Sequence, residues 1–135
     1  PASGTGAWEA ALVNTLSPGD RVLMFETGHF STLWKKLAEK LGLQAEFIQG
    51  DWRGGADPEQ IEARLAEDKG HEIKAVCVVH NETSTGSVSP IAEVRKAIDR
   101  ALPCLWSILS LVSPRWNTNM MNGVWMLRFP VPKKG

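Results

Sequence analysis

Ile73-Lys74-Ala75-Val76-Cys77-Val78-Val79 runs directly into His80-Asn81-Glu82-Thr83-Ser84-Thr85-Gly86. The first seven residues are nearly all apolar and rich in β-branched side chains, the pattern of a strand buried on both faces inside a parallel sheet. The next seven are dense in hydrogen-bond donors and acceptors. They stand at a strand's carboxyl end, where an open α/β sheet presents its ligand loop. A polar turn held by its own side chains is the competing reading of that loop.

On the amino side of this strand, Asp57-Pro58-Glu59-Gln60 starts a helix. The aspartate can cap, proline suits the first turn, and the glutamine three residues on can complete a capping box. That helix is predicted to reach about Asp68. Residues 45–48 read as a short strand, and Ser31 as the cap of a helix through about Leu41, with Gly42 in the usual C-terminal position. Residues 21–26 (RVLMFE) read as a second buried strand. Residues 7–16 (AWEAALVNTL) read as a helix, preceded by flexible Ser3-Gly4-Thr5-Gly6 and stopped by Ser17-Pro18-Gly19-Asp20. On the carboxyl side, Pro90 opens a helix through about Ala101. Alternating helices and strands predict an α/β fold of three layers, α/β/α, around a mainly parallel sheet.

Composition is consistent with that and excludes little else. The chain has 135 residues, 43% apolar and 22% charged, ordinary for a globular domain. No apolar run reaches the length of a membrane span, no signal-peptide pattern opens the chain, and a net charge of zero gives no argument for nucleic acid. Cys77 and Cys104 form no motif, so a reducing cytoplasm is the expected compartment. The first residue is proline, which is expected of a chain that begins inside a longer protein. The zero charge hides an asymmetry: all 15 acids lie before residue 100, and the five basic residues from Arg100 onward face none. Such a break marks a different domain, a tail or an artefact.

Ser3-Gly4-Thr5-Gly6 stands before a helix, where small residues let backbone N–H groups approach an anion and the helix dipole favours negative charge. A phosphate site and a plain helix cap are both open. In Gly28-His29-Phe30, again between a strand and a helix, His29 is either an acid/base or a surface group. Phe30 is either a stacking surface for a planar cofactor or core. Asp51-Trp52-Arg53-Gly54-Gly55 is read as an exposed turn. His29, His71 and His80 have no metal-ligand spacing.

Taken together, SGTGAWEAAL, FETGHF, DWRGGADP and VCVVHNETSTG ahead of a proline-started helix resemble the class V aminotransferases, nearest the serine–glyoxylate and alanine–glyoxylate group. The likeness covers residues 2 to about 99, and HNETSTG at this distance from SGTG is its most specific part. The resemblance implies part of the mixed seven-stranded sheet of fold-type-I pyridoxal-phosphate enzymes, and pyridoxal 5'-phosphate as cofactor. It implies that Ser3, Gly4 and Thr5 hold the cofactor phosphate, that Phe30 stacks on the pyridine ring, and that Thr83 hydrogen-bonds near the phenolic oxygen. It further implies transfer of an amino group from serine or alanine to glyoxylate, and a homodimer. A cysteine desulfurase-like relative is an alternative, but neither cysteine is placed for that chemistry. A non-catalytic cofactor-binding fragment is another.

Two indispensable groups, a carboxylate for the pyridine nitrogen and the Schiff-base lysine, are expected in this family after the helix ending near Ala101. The tail does not carry their sequences. Read one base earlier in each codon, however, Pro103 through Ser110 can encode LLMVDTIS, given favourable choices at degenerate bases. Met120-Met121-Asn122 then forces Asp-Glu, and Trp125-Met126 forces Asp. The whole tail can be read as PALLMVDTISSLAS followed by EYxHDEWGVDVTVSGSQKG, which supplies both groups. Residues 1–100 are therefore expected to be a partial cofactor domain, and residues 101–135 a frameshifted tail after a single-base deletion. In that reading Lys133 and Lys134 are out-of-frame products, and the chain as written is inactive. A membrane-binding tail is the alternative, but Pro103, Pro114, Pro130 and Pro132 break any long helix.

Overall fold

The computed structural model describes residues 4–82, 84–101 and 124–128. In chain order the elements are α1 (Gly4–Thr15), β1 (Arg21–Phe25), α2 (His29–Lys40), β2 (Gln44–Ile48), α3 (Pro58–Glu67), β3 (Ile73–Val79), β4 (Asn81–Glu82), β5 (Ser87–Val88), α4 (Ile91–Ala101) and β6 (Val124–Arg128). The main sheet runs β2-β1-β3-β6. Its first three strands are parallel, and β6 lies antiparallel to β3.

Alternation of side chains along β1 explains the layers. Leu23 and Phe25 face a core built with Ile61 and Leu65 of α3 and Val94 and Ile98 of α4. Val22 and Met24 face the other way, toward Leu12 of α1 and Trp34 and Ala38 of α2. The central strand β3 serves both cores, with Val76 and Val78 on one face and Ala75, Cys77 and Val79 on the other. Ile73 falls out of that alternation and joins the Val76 side. The cause is a register irregularity between Arg21 and Val22, which pair with Ile73 and Ala75 and leave Lys74 extra.

Burying an aliphatic side chain stabilises by roughly 1.5–3 kcal/mol, whereas an exposed ion pair contributes about 0–1 kcal/mol. The apolar stripes of α3 and α4, not the exposed Arg100–Glu62 pair between them, therefore hold these helices on the sheet.

Several boundaries differ from expectation. Gly4 to Gly6 belong to α1 rather than to a flexible lead, and its last helical residue is Thr15. The cap of α2 is Gly28, and Ser31 sits three residues inside. From there Ser31 Oγ reaches back, accepting the N–H groups of Thr27 (3.0 Å) and Gly28 (3.1 Å). Gly42 does follow the helix end in the left-handed region, φ 81°. Asp57 caps α3 by accepting the Glu59 N–H at 3.0 Å. The segment after β3 is not an open loop but a two-stranded ribbon, β4-β5, turning through Gly86 at φ 72°. Of the residues assigned to the cofactor, Ser3 and Thr83 lie outside the described residues, as does the tail apart from β6.

Candidate functional site

A short turn joins α1 to β1, and Leu12 packs with Val22 and Met24. The helix consequently runs back along the strand, and at ~1.5 Å per helical residue against ~3.3 Å per strand residue the two have similar lengths. The amino end of α1, at Gly4 and Thr5, thus stands at the carboxyl edge of the sheet. The same edge carries the β1–α2 turn with Phe30 and the segment following β3. The topology brings together the three stretches that the sequence singled out.

The first N–H groups of an α-helix have no partner within the helix, and they attract negative charge. The helices meet this need differently. Glu59 lies in the first turn of α3 and Glu93 in that of α4, while α1 and α2 have no acid there. At α2 the charge comes from elsewhere in the chain. The Glu82 side chain, 1% exposed, accepts the N–H groups of Phe30 (Oε1, 3.3 Å) and Ser31 (Oε2, 3.2 Å). It also accepts the hydroxyls of Ser84 (2.7 Å) and Thr27 (3.4 Å). Around this centre Ser84 Oγ accepts the His29 N–H at 3.1 Å, and Thr85 Oγ1 donates to the Thr27 carbonyl at 3.2 Å. The turn after β1 and the segment after β3 are laced together. Gly28 makes this possible, since a Cβ there would lie 2.7 Å from both Glu82 Cγ and Ser84 Oγ.

Phe30 is half-buried at the start of α2, packed against the core on the α1–α2 face, with His29 edge-on at 5.8 Å between ring centroids. His29 and Ser84 are exposed. Trp52 is 44% exposed and adopts φ 62° in the β2–α3 loop, where its indole N–H donates to Glu26 Oε1 at 2.9 Å. That is the exposed turn the sequence suggested. Cys77 is enclosed within β3, and burial pushes its thiol far above the ordinary range.

A cavity of about 480 Å³ lined by Gln49, Asp51, Asp57 and Gln60 opens beside Phe25, on the α3 face of the sheet. Phe30, Glu82 and Ser84 do not line it, so it stands apart from the laced turns. Among the described residues no three His, Cys, Asp or Glu side chains converge as metal ligands, and no helix is long and apolar enough to cross a membrane.

Sequence reasoning did not single out Glu82, Thr27 or Ser89. Ser89 Oγ accepts the Ala56 N–H (3.0 Å) and donates to the Val79 carbonyl (2.7 Å), tying the end of β3 to the loop before α3. A signal for Glu82 existed: an acid three residues past the most apolar strand, opposite a helix start that has none.

The model of the family described as Aminotransferase class-V matches residues 2–106. The serine–glyoxylate aminotransferase of Methylorubrum extorquens is 58% identical over 101 residues, 75% of this chain and 25% of that protein. The enzyme of that name from Hyphomicrobium methylovorum is 48% identical over 125 residues, covering 93% of this chain and 31% of the relative. Among solved structures, an aspartate aminotransferase from Thermus thermophilus aligns with TM-score 0.65 at 29% identity, covering 76% of this chain and 27% of that one. The ureidoglycine–glyoxylate aminotransferase of Bacillus subtilis aligns with TM-score 0.59 at 35% identity, over 70% of this chain and 23% of its own. The chain spans about a quarter to a third of the length of the curated relatives it matches.

Proposed function

The chain belongs to the class V aminotransferase family, and from that premise we propose that it carries the phosphate and ring positions of a pyridoxal 5'-phosphate site. The parent reaction is transfer of an amino group from serine or alanine to glyoxylate. Its 46–58% identity to three serine–glyoxylate aminotransferases favours serine as donor. The parent protein is proposed to be cytoplasmic and homodimeric.

The observation that carries this reading is the amino end of α1. It has no acid in its first turn and stands at the sheet edge that also holds Phe30. The residues present fit the cofactor. A helix start opening on Gly4, Thr5 and Gly6 presents backbone N–H groups that have no partner within the helix, a fit to a phosphate. A half-buried ring, supported from behind by the core, offers a flat surface to a pyridine. Ser3 and Thr83 are proposed to add hydroxyls, the first to the phosphate and the second near the phenolic oxygen.

When bound, the cofactor supplies an electron sink for the carbon that loses its proton. The chain's own residues orient it: the α1 amino end fixes one end, and Phe30 fixes the plane of the ring. No residue of this chain is assigned to move the proton, because the lysine and the carboxylate are proposed to be encoded in the shifted frame. The chain as written is therefore proposed to bind cofactor without catalysing transfer.

Titration calorimetry with pyridoxal 5'-phosphate and with pyridoxal tests the site. Tighter binding of the phosphorylated form is expected, and equal affinity would remove the phosphate assignment. Borohydride treatment followed by mass spectrometry is expected to leave no cofactor mass on the chain. A stable adduct on a lysine would overturn the proposed inactivity.

A further inference from the structure

A ring that stacks on a cofactor must itself be held in place. We propose that Glu82 is the positioning residue for this site, acting through its buried side chain on the turn that carries Phe30. The inference rests on the proposed stacking role of Phe30 and deepens it.

The geometry is more specific than a helix cap needs. An ordinary cap comes from the residue just before the helix and satisfies its first turn locally. Gly28 occupies that place in α2 and has no side chain to offer. The acceptor instead arrives from a residue 52 positions away from Phe30. Each of its oxygens serves a backbone donor of α2 and a hydroxyl. Oε1 takes the Phe30 N–H and the Ser84 hydroxyl, and Oε2 takes the Ser31 N–H and the Thr27 hydroxyl.

Burying such a group is costly unless its oxygens are hydrogen-bonded. Four donors and the positive end of α2 meet that cost. As a result the backbone that bears Phe30 cannot swing at the first turn of α2 without breaking a contact to the segment after β3. That segment in turn carries the hydroxyls of Ser84 and Thr85. One side chain therefore fixes the spacing between the ring-stacking position and the hydroxyl-bearing segment. Gly28 fits the same account, because any Cβ there would push Glu82 out of place.

The test is a double-mutant cycle on the 135-residue chain, with Glu82→Gln and Phe30→Ala alone and together. Binding of pyridoxal 5'-phosphate and of inorganic phosphate is measured for each. Glutamine keeps one acceptor and turns an amide NH2 toward two donors. Glu82→Gln is expected to weaken pyridoxal phosphate binding about tenfold, a coupling of ~1.4 kcal/mol, and to have little further effect once Phe30 is alanine. Inorganic phosphate, which touches α1 but not Phe30, should change less than about twofold. Amide hydrogen exchange at Phe30 and Ser31 should quicken in the same variant.

Equal weakening of both ligands, or the same loss with and without Phe30, would reduce Glu82 to a structural residue. If the unsubstituted chain prefers pyridoxal phosphate and Glu82→Gln leaves that preference intact, the positioning role fails while the cofactor reading stands. If the unsubstituted chain binds both ligands equally, the ring position itself fails, and this inference with it. Should Glu82→Gln not fold, Thr27→Val removes one donor to the same group at constant shape. It is expected to show the same ligand selectivity at about threefold, and unaltered binding of both ligands would overturn the proposal.

Discussion

Gly28 is the residue with the least room to vary at the candidate site. Its φ of 160° is extended backbone open to any side chain, so the constraint is not conformational. The constraint is space: a methyl group on Gly28 would lie 2.7 Å from both Glu82 Cγ and Ser84 Oγ, each held by its own hydrogen bonds. Gly28→Ala is therefore expected to destabilise by about 1–3 kcal/mol, as overpacking does. Urea denaturation would show a lower midpoint at unchanged slope. An unshifted midpoint would mean that the two turns part freely. Cys77 offers a second check at this scale. Burial holds its thiol in the protonated, unreactive form, so peptide-level alkylation at mildly alkaline pH should label it only once β3 opens. Rapid labelling of Cys77 in the native chain would contradict that enclosure. At this scale the sequence was readable where chemistry shows in residue type. Phe30 was picked out as an aromatic between a strand and a helix, although the helix takes it in and begins at His29 rather than after a Ser31 cap. Glu82 was hidden because an acid in a polar loop looks solvated, and only tertiary pairing with α2 buries it.

Between elements, α3 and α4 pack side by side, and Arg100 closes their exposed edge on Glu62 at 2.7 Å. The hydrogen bond from Arg100 holds the Glu62 carboxyl below its ordinary value. A depressed carboxylate pKa contributes stability above the unfolded value, and that contribution is lost as pH falls through the folded one. Arg100→Gln should therefore lower the melting temperature slightly at neutral pH. The difference from the unsubstituted chain should vanish at the acid end of the carboxylate range and in concentrated salt. A gap that persists in acid would assign the effect to lost packing of the arginine stem instead. The elements themselves were largely legible, for reasons that can be named. Asp57 and Pro58 mark the start of α3, and Gly42 marks the end of α2. The beginning of α1 was not, because Gly4-Thr5-Gly6 reads as flexible in isolation and is helical in place. The β4-β5 ribbon was missed because two-residue strands carry no periodicity to detect.

Across the whole molecule, a mainly parallel sheet with helices on both faces followed from the alternation of elements, but neither the strand order β2-β1-β3 nor the fourth strand did. A helix that follows a parallel strand ordinarily returns the chain to a further parallel strand. Here the neighbour of β3 is Val124–Arg128, antiparallel and drawn from the tail whose charge and tryptophan content break from the rest. The proposed frameshift accounts for this mismatch, because the segment that should follow α4 is encoded one base out of register. Its strongest support is independent of codon choice: Met120-Met121-Asn122 and Trp125-Met126 yield acids in the shifted frame whichever synonymous codons were used. The decisive measurement is the coding DNA. It is expected to show, one base earlier, an aspartate codon within the stretch spanning Pro103 to Ser110 and a lysine codon overlapping Lys134. Restoring a single base near codon 100 and expressing the product should then yield a chain in which borohydride fixes the cofactor covalently to that lysine. A DNA sequence whose shifted triplets encode neither group, or a restored product that takes up no cofactor, would return the tail to the status of a genuine segment. In that case the antiparallel fourth strand would stand as a departure of this chain from its family.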